Sequence, residues 1–472
     1  DLVTLGLCLP ASCTPNELDV ILKRLFHQRT LIVGELYSAD FKLIEIRDLK
    51  DDHPWWSDAV MIVVGSIIAL LCILMILGTI YDLFVYQRHL KYKRKMQNCE
   101  NNNTSERNGT SFKSNLENQQ STVLTAHQQS VFGKILMCFS IYTNTKIIFD
   151  TKLGPESVPP IHGLRFISMI WIIMVHTIFY MSDYADNKPW SWRMAEGFAV
   201  QVISNSTVSV DTFFFLSGFL VAHLYFTGKR GKEDSKPYNY RTKFNEFLVT
   251  VLRRYLRLTP AYMMMVGILQ INSTWYGEVS QFYMTERPQD VCAKYWWRNI
   301  LYINNLFGRD TMCMSWSWYL SNDMQFFIIA SFLLILSSMY FHVAVGILGF
   351  LLTSSTLITG YLSYTYEYVP TMDEQYNMLD VLYDPPWTRI GPYIVGMCTA
   401  YILIRLNNQL VLRKRTLVLC WCIGSSCNVL VLFGLWERYL PILPAAFYVA
   451  LGRTVWAIGL GWLLIACCTN HG

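Results

Sequence analysis

The sequence predicts an all-α, polytopic membrane helix bundle, and three observations predict it. Hydrophobic residues make up 53% of the 472 and charged residues only 15%, where a soluble domain carries about 25% charged. About nine apolar runs are long enough to cross a bilayer, for which about 20 residues suffice. They lie near 59–85, 162–182, 208–228, 244–270, 318–340, 342–362, 387–406, 416–435 and 446–468. Lys and Arg gather in alternate gaps between the runs, as the positive-inside rule requires.

Each segment follows from its composition. Residues 1–57 are mixed polar and apolar, carry Cys8 and Cys13, and read as the end of a small extracellular or lumenal domain. Residues 58–86 form the first transmembrane helix. The cluster Arg88-His-Leu-Lys-Tyr-Lys-Arg-Lys95 follows at once, and such a cluster stays cytoplasmic. Residues 87–160 are then a cytoplasmic polar linker. Within it, 97–130 is rich in Asn, Gln, Ser and Thr and is expected to be disordered. Residues 161–472 form the membrane core. Alternation places Lys229–Lys232, Arg241, Lys243 and Arg413–Arg415 inside, and Glu367, Asp373, Glu374, Asp380 and Asp384 outside. The chain starts at Asp1 and stops just after an apolar run, so it is expected to be a piece of a longer protein, with the core incomplete at its C-terminal end.

The cysteines fit this plan. Cys292 and Cys313 share a long outer loop, where an oxidising compartment favours a disulfide. Cys8 and Cys13 have two options, pairing with each other or with residues further upstream. Cys72, Cys398, Cys420, Cys422, Cys427, Cys467 and Cys468 fall in or beside membrane runs and read as small apolar packing residues. No Cys/His spacing suggests a metal, and no basic stripe with interleaved aromatics suggests nucleic acid.

Arg165 and His176 are the pair with chemical promise. Eleven helical steps make about three turns and 20°, so both side chains share a face, about 16 Å apart along the axis. Ionisable groups inside a membrane helix are expensive and usually line a cavity or path. His176 suits general-base work near neutral pH. Arg254 and Arg257, one turn apart, join Arg165 toward the cytoplasmic side, and guanidiniums at one depth suit phosphates. The competing reading for Arg254 and Arg257 is snorkelling to lipid headgroups. Asp211 and Asp323 are placed near the outer ends of their helices, where either would serve as the carboxylate that orients His176. A helix N-cap is the plainer reading of Asp211. Ser217-Gly218 reads first as a close helix contact, with Ser217 as nucleophile a minor option. His223 and His162 read as structural or headgroup contacts.

These residues lie in four segments that together resemble the membrane acyltransferase 3 family. Arg165 and His176 match its Arg-x10-His motif. Val210-Asp-Thr-Phe-Phe-Phe-Leu-Ser-Gly-Phe-Leu220, Arg254-Tyr-Leu-Arg257-Leu-Thr-Pro260 and Trp318-Tyr-Leu-Ser-Asn-Asp323-Met-Gln-Phe-Phe327 resemble its other motifs, in its order, with Asp323 where the family has Glu. Leu7-Cys-Leu-Pro-Ala-Ser-Cys-Thr-Pro15 is similar to the end of the N-terminal domain of that family's nose-resistant-to-fluoxetine subgroup of invertebrates.

The resemblance implies a multi-pass acyltransferase in the plasma membrane or an endomembrane, surrounded by lipid, with its N-terminal segment extracellular or lumenal. It implies acyl-CoA as donor (acetyl-CoA or longer) and a hydroxyl on a lipid, glycan or small molecule as acceptor, on the donor's side or across the bilayer, with no metal. His176, Arg165, Asp323 and Asp211 would be its catalytic residues, and Arg165, Arg254 and Arg257 would bind the donor. The subgroup also implies an alternative without chemistry, the transport or uptake of lipids and small hydrophobic compounds across epithelia.

The topology makes one prediction about glycosylation. Asn205 and Asn272 begin sequons on outer ends, whereas Asn102 and Asn108 begin sequons on the inner linker. Mass spectrometry of protein from a eukaryotic host should find neither Asn102 nor Asn108 modified; a glycan on either would invert the topology.

Overall fold

The computed structural model describes residues 13–27, 31–33, 37–39, 46, 59–105, 131–152, 154, 157–182, 187, 190, 193, 197–229, 240–280, 286–370, 378–407, 409–436 and 440–471. It is a helical bundle in two compact units. One takes residues 1–155 with 274–283, the other 156–273 with 284–472.

The first unit opens with α1 (Pro15–His27). The Thr14 amide donates to Glu17 Oε2 at 3.2 Å and the Glu17 amide to Thr14 Oγ1 at 3.4 Å, a reciprocal capping box that satisfies two helix-end donors. A short antiparallel hairpin follows, β1 (Leu31–Val33) and β2 (Tyr37–Ala39). α2 (Ala59–Tyr81) continues through a π turn at Asp82–Tyr86 into α3 (Gln87–Ser105). Residues 97–105, expected to be disordered, are therefore helical, because α3 extends the ladder already nucleated by α2. The rest of the expected disordered stretch, 106–130, lies outside the described residues, as do Cys8, Asn108, Asp373 and Glu374.

Two short helices follow, α4 (Val131–Cys138) and α5 (Ile141–Ile148). Asp82 holds them to the end of α2. Its buried carboxylate accepts from Ser140 Oγ at 2.6 Å, Thr143 Oγ1 at 2.5 Å and Gln87 Nε2 at 3.0 Å. Ser140 is also the N-cap of α5, so one buried acid fixes where that helix begins.

The second unit is built around α7 (Thr207–Lys229), which is buried along most of its length. α6 (Pro159–Ser182) precedes it, and α8 (Tyr240–Val279), whose residues from Thr274 on are counted in the first unit, and α9 (Pro288–Ile300) follow. Then come α10 (Trp318–Ser337), α11 (Phe341–Thr365), α12 (Ile390–Arg405), α13 (Lys414–Phe433) and α14 (Ile442–Cys468). Phe214, Phe215 and Phe219 of α7 are fully buried against Tyr393 and Ile394 of α12 and Leu460 and Leu464 of α14.

Two glycines let α7 and α12 meet backbone to backbone. A Cβ on Gly218 would lie 2.1 Å from the Tyr393 carbonyl oxygen, and one on Gly396 would lie 2.1 Å from the Phe215 carbonyl oxygen. The close approach expected at Ser217-Gly218 is therefore present and is reciprocated from α12. In lipid, where apolar burial drives helix association little, such close packing is a main source of cohesion.

Among the described residues, seven helices are long and apolar enough to span a membrane. Every one of the nine expected runs is helical, but two fall short of that standard for different reasons. α8 is 40 residues long and carries Lys243, Arg253, Arg254 and Arg257. α12 has 16 residues, a rise of about 24 Å, against a hydrocarbon core of about 30 Å.

Cys292 and Cys313 form a disulfide, as the loop's placement predicts. Cys13, Cys72, Cys138, Cys398, Cys420, Cys422, Cys427, Cys467 and Cys468 are free thiols. The bridge closes a second cluster in which Tyr262, Val266, Tyr302, Met314, Met324 and Phe327 pack together. A buried amide network fastens the same loop to α8 and α10. Asn299 Nδ2 donates to Tyr262 Oη at 2.8 Å, Asn304 Nδ2 to Ser317 Oγ at 2.8 Å and Asn305 Nδ2 to Asn322 Oδ1 at 2.6 Å. Asn205 is not a free sequon: its amide donates to the Leu432 carbonyl at 2.6 Å.

Gly396→Leu should lower the melting temperature of the purified protein by the equivalent of about 1–3 kcal/mol, the usual cost of overpacking. Gly346→Ala, whose added carbon meets nothing within 4 Å, should leave it unchanged. Equal effects of the two would show that the α7–α12 contact is not limiting.

Candidate active site

The structure sorts the expected site residues into three places. In the first, Arg254 of α8 donates to Asp323 of α10 in a direct ion pair. Ser217 of α7 donates to Asp323 Oδ1 at 2.7 Å and accepts from Arg254 Nη2 at 3.5 Å. The Arg254 guanidinium lies 4.2 Å from the centre of the Phe327 ring, an added cation–π contact. Tyr319 is within electrostatic reach of Asp323, Arg254 and Arg165, and Tyr393 of Asp323 and Arg254. Three motif segments therefore meet through one hydroxyl, one carboxylate and one guanidinium, and Arg165 approaches from the fourth. Arg257, one turn beyond Arg254, is exposed.

His176 occupies the second place. It is exposed on α6, and its Nδ1 lies 2.9 Å from the Ile172 carbonyl. A carbonyl only accepts, so Nδ1 is the donor in this contact, which leaves Nε2 as the nitrogen that can present a lone pair. Neither Asp211 nor Asp323 bonds the imidazole; their partners are arginines and Ser217. The expectation that one of them orients His176 is corrected on that ground, and the preceding turn of the same helix supplies the acceptor instead. Arg165 is likewise exposed on α6.

Asp211 marks the third place. It is not an N-cap: it sits inside α7, 1% exposed, and accepts from Arg389 Nη1 at 2.9 Å. Arg453 Nε lies 3.9 Å from its other oxygen. Arg389 is itself fully buried, donates through Nε to the Tyr383 carbonyl at 2.7 Å and lies 3.9 Å from the Tyr383 ring centre. Arg453 donates to the carbonyls of Thr388 at 2.8 Å and Leu382 at 3.0 Å. Sequence reasoning missed both arginines. The signal was available, because each is a lone cation within an apolar run and a lone buried acid such as Asp211 requires a cation.

The remaining candidates are structural. His223 is buried and stacks on Phe219 with ring centres 5.5 Å apart, and His162 Nε2 lies 3.1 Å from Ser157 Oγ. No cluster of metal-ligating side chains occurs among the described residues.

The core is also what the comparisons match. The acyltransferase domain family matches residues 159–472. The chain belongs to that family. It is 28% identical over 502 aligned residues to nose resistant to fluoxetine protein 6 of Caenorhabditis elegans, covering 99% of this chain and 56% of that protein. It is 22% identical over 301 residues to regulator of hypoxia-inducible factor 1 of the same organism, covering 57% of this chain and 55% of that one. The chain thus spans about half the length of these curated relatives. No solved structure matches it. With the family model over α6 to α14 and many apolar helices, this acyltransferase-family chain is an integral membrane protein.

Asp384, in the segment between α11 and α12, adds a pH dependence. Its side chain is 1% exposed and its nearest cation, Arg309 Nε, is 3.3 Å away. Burial outweighs that cation and pushes its carboxyl up to about 7. Between about pH 4 and 7 the folded state then holds a proton that the unfolded chain releases. Stability should fall as pH rises through that window and level off above about 7. Asp384→Asn should flatten the fall in melting temperature measured from pH 4.5 to 8; an unchanged profile would remove Asp384 as its source.

Proposed function

We propose that this acyltransferase-family protein moves an acyl group, other than an aminoacyl group, from cytoplasmic acyl-CoA to a hydroxyl acceptor on either side of the bilayer. The observation that carries the reading is the state of His176: exposed, tied through Nδ1 to its own helix, and left with an open Nε2 on the helix that also bears Arg165. That base would take the acceptor's proton as the hydroxyl oxygen attacks the thioester carbonyl. The carbon–sulfur bond breaks, and the proton passes to the departing thiolate. An exposed ring with a fixed tautomer suits that shuttle.

Donor binding has its own support. Coenzyme A carries a pyrophosphate and a further phosphate, and planar guanidiniums bind phosphate bidentately. Arg165 and Arg257 are exposed and would contact those groups. Arg254 is engaged by Asp323, so it contributes field and rigidity more than a free fork. Asp323 and Ser217 are then positioning residues that keep Arg254 in place.

His176→Ala in the full-length protein should cut acyl transfer from acyl-CoA by about 10²–10⁴-fold, the range for general-base catalysis, with KM for the donor nearly unchanged. Arg257→Ala should raise that KM instead. An unchanged rate in His176→Ala would exclude the mechanism. If no ligand effect depended on coenzyme A either, transport of hydrophobic compounds would be the better reading.

A further inference from the structure

The stretch between α3 and α6 is expected to be a polar linker, yet its described part carries an open apolar surface. Phe132 of α4 is 68% exposed, Ile148 at the end of α5 is 76% exposed and Phe149 beside it is 78% exposed. Val131, Ile135 and Ile147 are exposed with them. A patch of this kind marks a surface that meets a partner or a membrane.

Its depth favours lipid. α4 and α5 are fastened to the last turns of α2. A Cβ on Gly78 would lie 2.5 Å from the Leu136 carbonyl oxygen. The Ile141 amide donates to Thr79 Oγ1 at 3.0 Å, and Asp82 accepts from the hydroxyls of Ser140 and Thr143. Gly78 and Thr79 close an apolar helix that begins at Ala59. The basic cluster opens at Arg88, only about 9 Å of helix past Asp82. The boundary between acyl chains and headgroups falls between an apolar span and such a cluster, and amphipathic helices lie there with their apolar side chains among the acyl chains.

The charge favours an anionic lipid. Residues 83–99 and 131–149 contain no acid, but they carry the cations of the 88–95 cluster together with Lys134 and Lys146. Lys134 and Lys146 are exposed. The sequence from 106 to 130 has Phe112, Leu116, Val123 and Leu124 as its large apolar residues, and its Glu106 and Glu117 are balanced by Arg107 and Lys113. It supplies neither the apolar area nor the surplus negative charge that would match this surface.

We propose that α4 and α5 form an interfacial foot. Their exposed apolar side chains enter the leaflet beside the end of α2, and Lys134 and Lys146, with the basic cluster of α3, hold its anionic phospholipid headgroups. The foot belongs to the first unit and does not depend on the acyl-transfer reading.

Photo-cross-linking in the full-length protein tests this directly. Phe132→p-benzoylphenylalanine and Ile148→p-benzoylphenylalanine are each placed in nanodiscs of equimolar phosphatidylcholine and phosphatidylserine, irradiated, and their peptides weighed by mass spectrometry. Ile73, exposed in the middle of α2, is the lipid control. Asn98, exposed and about 25 Å past Tyr81 along the helix, is the water control. Phe149 replaces either test site if its variant does not express. Both test sites should give phospholipid adducts as Ile73 does, and Asn98 should give none. The ratio of serine to choline lipid should exceed that at Ile73 by about twofold or more, and Lys134→Gln with Lys146→Gln should return it to the Ile73 value. Adducts to protein instead of lipid, or no lipid adduct at either test site, would overturn the foot. A headgroup ratio equal to that at Ile73, or one unmoved by the double substitution, would overturn its grip on anionic lipid.

Discussion

The contact between α7 and α12 is the constraint on which the second unit depends. With a methyl group at Gly218 or Gly396, the two backbones could not stay where they are. Their closeness buries Phe214, Phe215 and Phe219 completely. It also seals Asp211 away from solvent, so that the acid must find Arg389 rather than water. A helix placed centrally by glycine can thus afford one acid only because a cation enters from the neighbouring segment. Ser217, beside Gly218, is carried to the opposite partner, Asp323. One helix therefore organises two separate polar centres within the span of about two turns.

Much of this architecture was legible in the sequence, because apolar length and charge placement are local properties. Each expected run is helical, Cys292 and Cys313 pair, and the small residues at 217–218 pack as expected. The motif segments were also legible one at a time. Their mutual contacts were not, because depth was counted from the ends of apolar runs. Arg254 was placed near the inner surface and Asp323 near the outer one, yet they form an ion pair. The reason is the length of α8, which starts at Tyr240 and puts more than three turns before Arg254. Arg389 and Arg453 drew no assignment, because their partner is remote in the sequence. Pairing across 178 residues of chain is a property of packing alone.

His176 illustrates how a local substitute can replace a tertiary one. A second side chain is the usual device for orienting an imidazole, and two aspartates were at hand to expect it from. Both are already neutralised by arginines, and moving either to the histidine would strand a buried cation. The carbonyl of Ile172 costs nothing to recruit, since it lies one turn back on the same helix.

The 40-residue α8 also behaves as a mast with a joint. It is about 60 Å long, whereas a bilayer with its headgroups is about 40–45 Å thick. A rod of that length exceeds what any bilayer crossing requires. Pro260 interrupts it from within. Lacking an amide hydrogen, it leaves the Leu256 carbonyl without its rung of the ladder. That gap comes just after Arg254 and beside Arg257. The two arms on either side of the missing rung are therefore held separately by side chains, the first by Arg254 on Asp323 of α10 and the second by Tyr262 and Val266 in the cluster that the disulfide closes.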